Sequence, residues 1–303
     1  MGQHSQAKLQ FGKFIRTIFP ALAILLAGVL IVLVLLVYRV THPETAGESV
    51  DPSFHLLPAL DVTIPAADAK DIHAWWIPGL RGAPGIILAP GYGMNRADAL
   101  SLAVCLRAKG FNLLIYDQRG SSVFPRGAST MGLHEADDMA SVLNFLRNRP
   151  ESNPSSIGIW GVDVGAHAAL KVAASAPEIR AIAADSAFEF PSDFLDYRIY
   201  EDFGLSSNII KFGCRQMFEL LYARQGFSLR QPLSIEALSD RAILFIRGEN
   251  RGQLARLTAA LYERIHPQKE MITLKAARSH LMVGEELRDY DRRITSFFQS
   301  NLR

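Results

Sequence analysis

The chain has 303 residues, of which 49% are hydrophobic and 20% are charged. This composition excludes a disordered or collagen-like chain and leaves enough apolar material for a large buried core. The net charge of +2 is unevenly placed, because Lys8, Lys13, Arg16 and Arg39 are balanced by no acid before position 40. The rest of the chain therefore offers no basic face for nucleic acid, which is not an expected partner.

The sequence predicts neither a cofactor nor a metal. Cys105 and Cys214 are too few for a disulfide framework and lack the spacing of a zinc site. Gly91 and Gly93 follow a predicted strand, but Arg96 stands where a dinucleotide-binding fingerprint needs its third glycine. A small organic molecule is the expected substrate or ligand.

An uncharged apolar segment covers residues 17–38. As a helix rising about 1.5 Å per residue it would reach about 33 Å, enough to cross a hydrocarbon core of about 30 Å. A cleaved signal peptide also begins with positive charges, but this apolar run is too long and has no small-residue cleavage site beside it. We therefore predict a transmembrane anchor, with the lipid bilayer as partner.

The charges around the anchor predict its orientation. Three cations precede the segment and Arg39 follows it, which places residues 1–16 in the cytoplasm and the remainder outside it. Residues 39–58 contain prolines and acids without periodicity and are predicted to be a tether. Residues 59–303 then form one globular domain.

The domain begins with two short alternating runs, residues 60–64 and 72–77, which predict an antiparallel pair of strands. Strand and helix patterns then alternate. Further strands are predicted at residues 85–89, 112–116, 157–160, 180–184, 241–246 and 270–275, and helices at 97–109, 132–148, 165–174, 254–265 and 286–298.

This alternation predicts an α/β fold with a mostly parallel sheet and helices on both faces. Residues 191–231 interrupt it and include a helical pattern at 209–223. An insertion after the sixth strand would lie over the carboxyl ends of the strands, where ligands bind in open α/β folds. It is therefore predicted to be a small cap.

The most informative stretch is IWGVDVGAHAAL, residues 159–170. A strand runs into Gly-x-x-x-Gly and then directly into a helix of small residues, which is the form of a nucleophile elbow. The middle residue of such an elbow is usually Ser, but here it is Asp163. His167 follows one turn later and is predicted to pack within the helix.

Around this stretch the chain resembles the α/β-hydrolase superfamily, particularly bacterial membrane-anchored serine hydrolases related to prolyl oligopeptidases and esterases. APGYGMNR at residues 89–96 is similar to their oxyanion loop, and GFNLLIYDQRGSS at residues 110–122 to their strand ending in Asp-x-Arg-Gly. Ser279 and His280 match the position of the catalytic histidine. The resemblance covers roughly residues 55–302 and implies an α/β-hydrolase fold.

The chain departs from the family pattern in the rest of the triad. After the seventh strand the family has an Asp that orients the histidine, whereas this chain has Arg251. Glu249 or Asp185 is then left to orient His280. The resemblance also implies that the backbone N–H groups of Tyr92 and Val164 form the oxyanion hole.

Three interpretations of Asp163 follow. In the first, Asp163 is a remnant of a lost serine hydrolase and is stabilised at a helix N-terminus. In the second, it is a carboxylate nucleophile for an alkyl carbon, as in haloalkane dehalogenases and epoxide hydrolases. In the third, the site has another hydrolytic use. A carboxylate cannot replace a serine in ordinary ester hydrolysis, because attack on an acyl carbon gives an anhydride. The function is therefore either hydrolysis of a small ester, peptide-like or alkyl substrate, or ligand or protein binding by an inactive pseudo-hydrolase.

Overall fold

The sheet and its helices are seen in a computed structural model that describes residues 2–44, 50–68, 70–120, 127–222, 228–265, 268–275 and 282–302. Within these residues eight strands form one sheet in the order β1-β2-β4-β3-β5-β6-β7-β8. The strands are β1 (Leu60–Pro65), β2 (Asp71–Ile77), β3 (Ala83–Ala89), β4 (Asn112–Tyr116), β5 (Ser152–Val162), β6 (Ile179–Asp185), β7 (Ala242–Gly248) and β8 (Lys269–Leu274).

The described helices follow the predicted order, with one addition at Pro191–Phe203 that the sequence pattern did not predict. They are α1 (Gly2–Thr41), α2 (Leu100–Ala108), α3 (Leu133–Arg147), α4 (Val164–Ala173), α5 (Pro191–Phe203), α6 (Asn208–Tyr222), α7 (Gly252–Arg264) and α8 (Gly284–Leu302). Short 3-10 turns lie at Pro52–His55, Arg96–Ala99, Ile235–Leu238 and Glu249–Arg251.

The sheet is mixed at one edge and parallel elsewhere. β1 pairs antiparallel with β2, and β2 pairs antiparallel with β4, while the pairs from β4 through β8 are parallel. The mostly parallel α/β fold predicted from the alternating pattern is confirmed. β5 begins at Ser152 rather than at residue 157, because Ser152 already pairs with Ala83 of β3.

The apolar strands carry a hydrophobic layer on each face. In β3, Ile87 and Ala89 contribute to the cluster formed with α3, α4 and α7, and Ile86 and Leu88 to the cluster formed with α2 and α8. Because successive side chains of a strand point to opposite faces, a run without polar residues indicates a strand covered on both sides.

A third apolar cluster lies over the carboxyl ends of the parallel strands. It joins α5 and α6, in the segment predicted to be a cap, to the end of α1 and to the turn before α4. Its buried members include Val40, Tyr92, Val164, Phe194 and Phe218.

The first helix is longer than the predicted anchor and is packed at its end. α1 continues to Thr41, and Val37, Val40 and Thr41 are fully or almost fully buried. The Tyr92 hydroxyl donates to the Val40 carbonyl at 2.7 Å, and the Ser129 N–H donates to the Thr41 carbonyl at 2.7 Å. These bonds satisfy carbonyls that the helix leaves open at its C-terminus, so the first residues assigned to the tether are held against the domain.

The preceding part of α1 is apolar and exposed. Ile18–Thr41 is long and apolar enough to cross a membrane, with a mean hydropathy of 3.1 in its most apolar window. Only 6% of that window is buried in the protein. A core helix of a soluble domain would be mostly buried. The exposure of α1 therefore argues against a core helix.

His167 of α4 is enclosed by the core, as its place in the helix predicted. Its ring is stacked on Phe188 with 4.9 Å between centroids, and Nδ1 lies 3.1 Å from the Phe188 carbonyl oxygen. Since a carbonyl only accepts, Nδ1 carries the proton. Burial lowers the pKa of His167 to about 4.

This shift predicts a defined acid sensitivity. In the unfolded chain His167 takes up a proton below about pH 6.5, whereas in the folded protein it does so only near pH 4. The stability contributed by neutral His167 is therefore lost as the pH falls between these values, by up to about 1.4 kcal/mol per pH unit. His167→Asn, which keeps a donor for the Phe188 carbonyl, should flatten the dependence of the unfolding free energy on pH between these values. An unchanged dependence on pH would contradict the lowered pKa of His167.

Candidate functional site

The turn between β5 and α4 is strained at its central residue. Asp163 has φ 38° and ψ −100°, a conformation that non-glycine residues rarely adopt. Two glycines permit it: a Cβ on Gly161 would lie 2.6 Å from the backbone of Gly165, and one on Gly165 would lie 2.6 Å from the Ala89 carbonyl oxygen. The turn therefore presses the start of α4 against the end of β3.

The Asp163 carboxylate is held by two backbone N–H groups. Oδ1 accepts from the N–H of Tyr92 at 2.7 Å and from the N–H of Val164 at 2.6 Å. These are the two groups that the resemblance assigned to an oxyanion hole. Asp163 is fully buried, so the charge-assisted hydrogen bonds are shielded from water.

The second oxygen of Asp163 faces an arginine. Arg251 lies in the 3-10 turn that follows β7, and its Nη2 is 3.7 Å from Asp163 Oδ2. The Arg251 guanidinium is also 5.5 Å from the centroid of the Tyr197 ring. Arg251 is thus a buried cation at the position where the family has an acid.

Asp185 has a different set of partners. Its carboxylate accepts from the Ser186 hydroxyl at 2.8 Å and from the Tyr290 hydroxyl at 2.9 Å, and Trp160 Nε1 donates to Tyr290 at 2.9 Å. Burial raises the pKa of the Asp185 carboxyl, against the lowering effect of the two hydroxyl donors and of Arg251. This network connects the end of β6 to α8.

Glu249, which was predicted to act with Asp163, is not brought to it. The Glu249 side chain is exposed at the end of β7. His280 lies outside the described residues, between the end of β8 and Met282. Its role therefore stays a prediction.

The cap covers the turn with aromatic and cationic side chains. Tyr92 packs edge-on against Phe194 with 5.7 Å between centroids, and the Arg198 guanidinium lies 4.4 Å from the Tyr92 ring centroid. Burial raises the pKa of Tyr92 to about 12. Tyr197 is also buried, so α5 packs closely over the segment that carries Tyr92.

Two residues of the site were not identified from the sequence. Arg198 lies on α5 and Tyr290 on α8, far from the motifs in the chain. No local pattern marks them, because each reaches the site only when its helix packs on the sheet. Among the described residues, no group of three His, Cys, Asp or Glu side chains could hold a metal ion.

Sequence relatives of the chain are distant. No protein family model matches it. The uncharacterized protein YqkD of Bacillus subtilis is 25% identical over 263 residues, which cover 84% of each chain. A polyketide transferase of Gibberella fujikuroi is 28% identical over 124 residues, which cover 39% of this chain and 38% of the relative.

Solved structures agree on the fold. The Pyrococcus furiosus esterase Pf2001 superposes with a TM-score of 0.65 at 18% identity, covering 88% of this chain and 99% of the esterase. The α/β hydrolase GrgF of a Penicillium species has a TM-score of 0.60 at 18% identity, covering 81% and 99% of the two chains. The chain therefore has the α/β-hydrolase fold that its motifs predicted.

The pairing of Asp163 with Arg251 predicts a strong coupling between the two. Arg251→Met leaves a buried carboxylate without the cation that faces it, and should lower the unfolding free energy by about 3 kcal/mol. Adding Asp163→Asn should restore much of this loss, since the charge is then absent. Denaturant unfolding of the two single variants and the double variant measures the coupling.

Arg247→Met is the matched control, because Arg247 of β7 donates to the Thr273 hydroxyl at a solvent-exposed position. It should change stability by no more than about 0.5 kcal/mol. Equal losses in Arg251→Met and in the double variant would contradict the ion pair.

Proposed function

We propose that this protein is a membrane-anchored, non-hydrolytic member of the α/β-hydrolase fold that serves as a binding module. The observation that carries the proposal is the position of the Asp163 carboxylate. Its Oδ1 accepts from both the Tyr92 and the Val164 N–H groups. Those donors are then occupied by the protein's own anion.

An occupied oxyanion hole is incompatible with ordinary acyl transfer. In a serine hydrolase the two N–H groups lie 2.7–3.1 Å from the oxyanion that forms during attack, and losing one of them slows the reaction by about 10²–10³-fold. Here both bonds are already made at 2.6–2.7 Å. The carbonyl oxygen of an ester would have to displace a buried carboxylate.

The replacement after β7 supports the same conclusion. The catalytic acid of a triad accepts a hydrogen bond from the histidine and stabilises its cation. Arg251 has only donors and carries a permanent positive charge, so it repels an imidazolium instead. Asp185 already accepts from Ser186 and Tyr290, and Glu249 is exposed.

Membrane anchoring through α1 is part of the proposal. It is supported by the length and hydropathy of Ile18–Thr41 and by the exposure of its apolar side chains. The three N-terminal cations favour a cytoplasmic N-terminus and an extracytoplasmic domain. The burial of Val37 and Val40 would hold the domain directly against the bilayer surface.

The proposal predicts a gain of function when the hole is vacated. The purified full chain should hydrolyse p-nitrophenyl acetate no faster than its Asp163→Asn variant. Asp163→Ser with Arg251→Asp vacates the hole and restores an acid, and should exceed the uncatalysed rate by about 10³-fold or more, the acceleration that binding and an oxyanion hole retain without an intact triad.

Binding is tested with a panel of esters and their carboxylic acids. A compound bound by the folded protein raises the melting temperature, so the parent should be stabilised by uncleaved compounds. Ester hydrolysis by the parent that depends on Asp163 would overturn the non-hydrolytic role. A melting temperature that no compound of the panel raises would overturn the binding role.

One observation favours a second function, hydrolysis of an alkyl substrate. With Oδ1 held by two N–H groups, Oδ2 is the oxygen directed toward Arg251, and it could attack an alkyl carbon. The bond to the leaving group would break, and water would then cleave the alkyl ester. Turnover of haloalkanes or epoxides that is lost in Asp163→Asn would establish this alternative.

A further inference from the structure

The cap helix α6 exposes an apolar strip that one exposed polar residue, Gln216, interrupts. Ile209 is 84% exposed, Phe212 is 55% exposed and Leu220 is 70% exposed. These positions, at intervals of three and eight residues, lie on one side of the helix. Such a strip is unfavourable in water and is typical of a helix that lies in a membrane interface.

The charged residues of α6 form a separate narrow edge. Lys211, Arg215 and Glu219 recur every four residues, and Arg215 is paired with Asp196 of α5. The opposite side of the helix, with Cys214, Met217 and Phe218, is buried in the cap cluster. The exposed apolar strip is therefore additional to the face that α6 needs for folding.

α6 meets α1 well before the end of the apolar span. A Cβ on Gly213 would lie 3.1 Å from the Leu33 side chain, so the two helices approach closely there. Leu33 precedes Thr41 by eight residues, or about 12 Å along a helix. The 24 residues of the span measure about 36 Å, which leaves about 6 Å beyond a hydrocarbon core of about 30 Å.

The depth of α6 in the bilayer follows from the length of the span and the thickness of the hydrocarbon core. Even if the whole surplus lies at the C-terminal end of α1, Leu33 remains about 6 Å inside the hydrocarbon of an untilted helix. The part of α6 around Gly213, which approaches Leu33, is then at the same depth. Interfacial helices bury their apolar faces by about 5–10 Å, which matches this placement.

A groove of about 690 Å³ lies between the two helices. On α1 it is lined by residues that include Ile24, Gly28 and Leu33, and on the cap side by Leu205 and Ile210. No atom lies within 4 Å of a Cβ placed on Gly28, so the groove is open at that point. Its wall is almost entirely aliphatic and lies within the span.

We propose that α6 is embedded in the leaflet where α1 ends and that the α1/α6 groove binds an acyl chain of a bilayer lipid. The inference rests on the membrane anchor of the proposed function, but it is independent of whether Asp163 catalyses a reaction. At this depth hydrocarbon chains surround the groove on its open side. An acyl chain fits an aliphatic wall that offers no hydrogen-bond partner, and a polar ligand does not.

The insertion of α6 is tested in the full chain. Phe212→Trp is reconstituted in phosphatidylcholine vesicles with and without brominated acyl chains, and the emission of the parent's tryptophans is subtracted. The added emission should be strongly quenched by the brominated lipid. The matched control is Leu80→Trp, because Leu80 is an exposed leucine in the turn before β3, at the amino end of a central strand and so at the opposite end of the sheet from the cap cluster. Its emission should be unaffected.

Occupancy of the groove is tested by photolabelling with a phosphatidylcholine that carries a diazirine in its acyl chain. Labelled peptides should contain Leu205 and Ile210. Gly28→Phe fills the open space and should reduce this labelling severalfold. Ile31→Phe adds the same ring at an exposed position of α1 that does not line the groove, and should leave the labelling unchanged.

The outcomes separate this inference from the anchor itself. Release of the parent from membranes by alkaline carbonate would overturn both. A carbonate-resistant protein with unquenched Phe212→Trp, or with labelling equal in Gly28→Phe and Ile31→Phe, would overturn only the embedded helix and its lipid groove. A dimer in native mass spectrometry together with an unlabelled groove would assign the groove to a second copy and would also overturn the proposal.

Discussion

Two backbone N–H groups converge on one oxygen of the Asp163 carboxylate, and the organisation of the site depends on this contact. The carboxylate is fully buried, so its charge needs partners within the protein. The strained turn at Asp163 brings the side chain to the N–H groups of Tyr92 and Val164. A Cβ on Gly91 would lie 2.8 Å from Oδ1, so the approach also requires a glycine before Tyr92.

The buried charges of the site are reversed relative to a serine hydrolase of the same fold. There the residue at the turn is neutral and the residue after β7 is acidic. Here the turn carries the acid Asp163 and the segment after β7 carries the cation Arg251, 3.7 Å away. Either replacement alone would leave a buried charge without the opposite charge that it faces across this 3.7 Å contact. The two departures are therefore physically linked and are best understood as one change.

Tyr92 connects this site to the end of α1. Its N–H holds the Asp163 carboxylate, while its hydroxyl donates to the Val40 carbonyl. The Tyr92 ring packs against Phe194 of the cap and lies under Arg198. The end of the apolar helix, the cap and the turn thus share one buried cluster, and a displacement of α1 would act directly on the contacts of Asp163.

Periodicity and local motifs were sufficient to predict most of the strands and helices along the chain, the apolar helix and the unusual Asp163, because these depend on near neighbours in the chain. The exact bounds required pairing: β5 begins at Ser152 only because β3 lies beside it. The sequence also marked Arg251 as a departure from the family pattern. Only the tertiary structure could decide that Arg251 faces Asp163, that Tyr290 holds Asp185 and that α6 lies against α1, because these contacts join residues far apart in the chain.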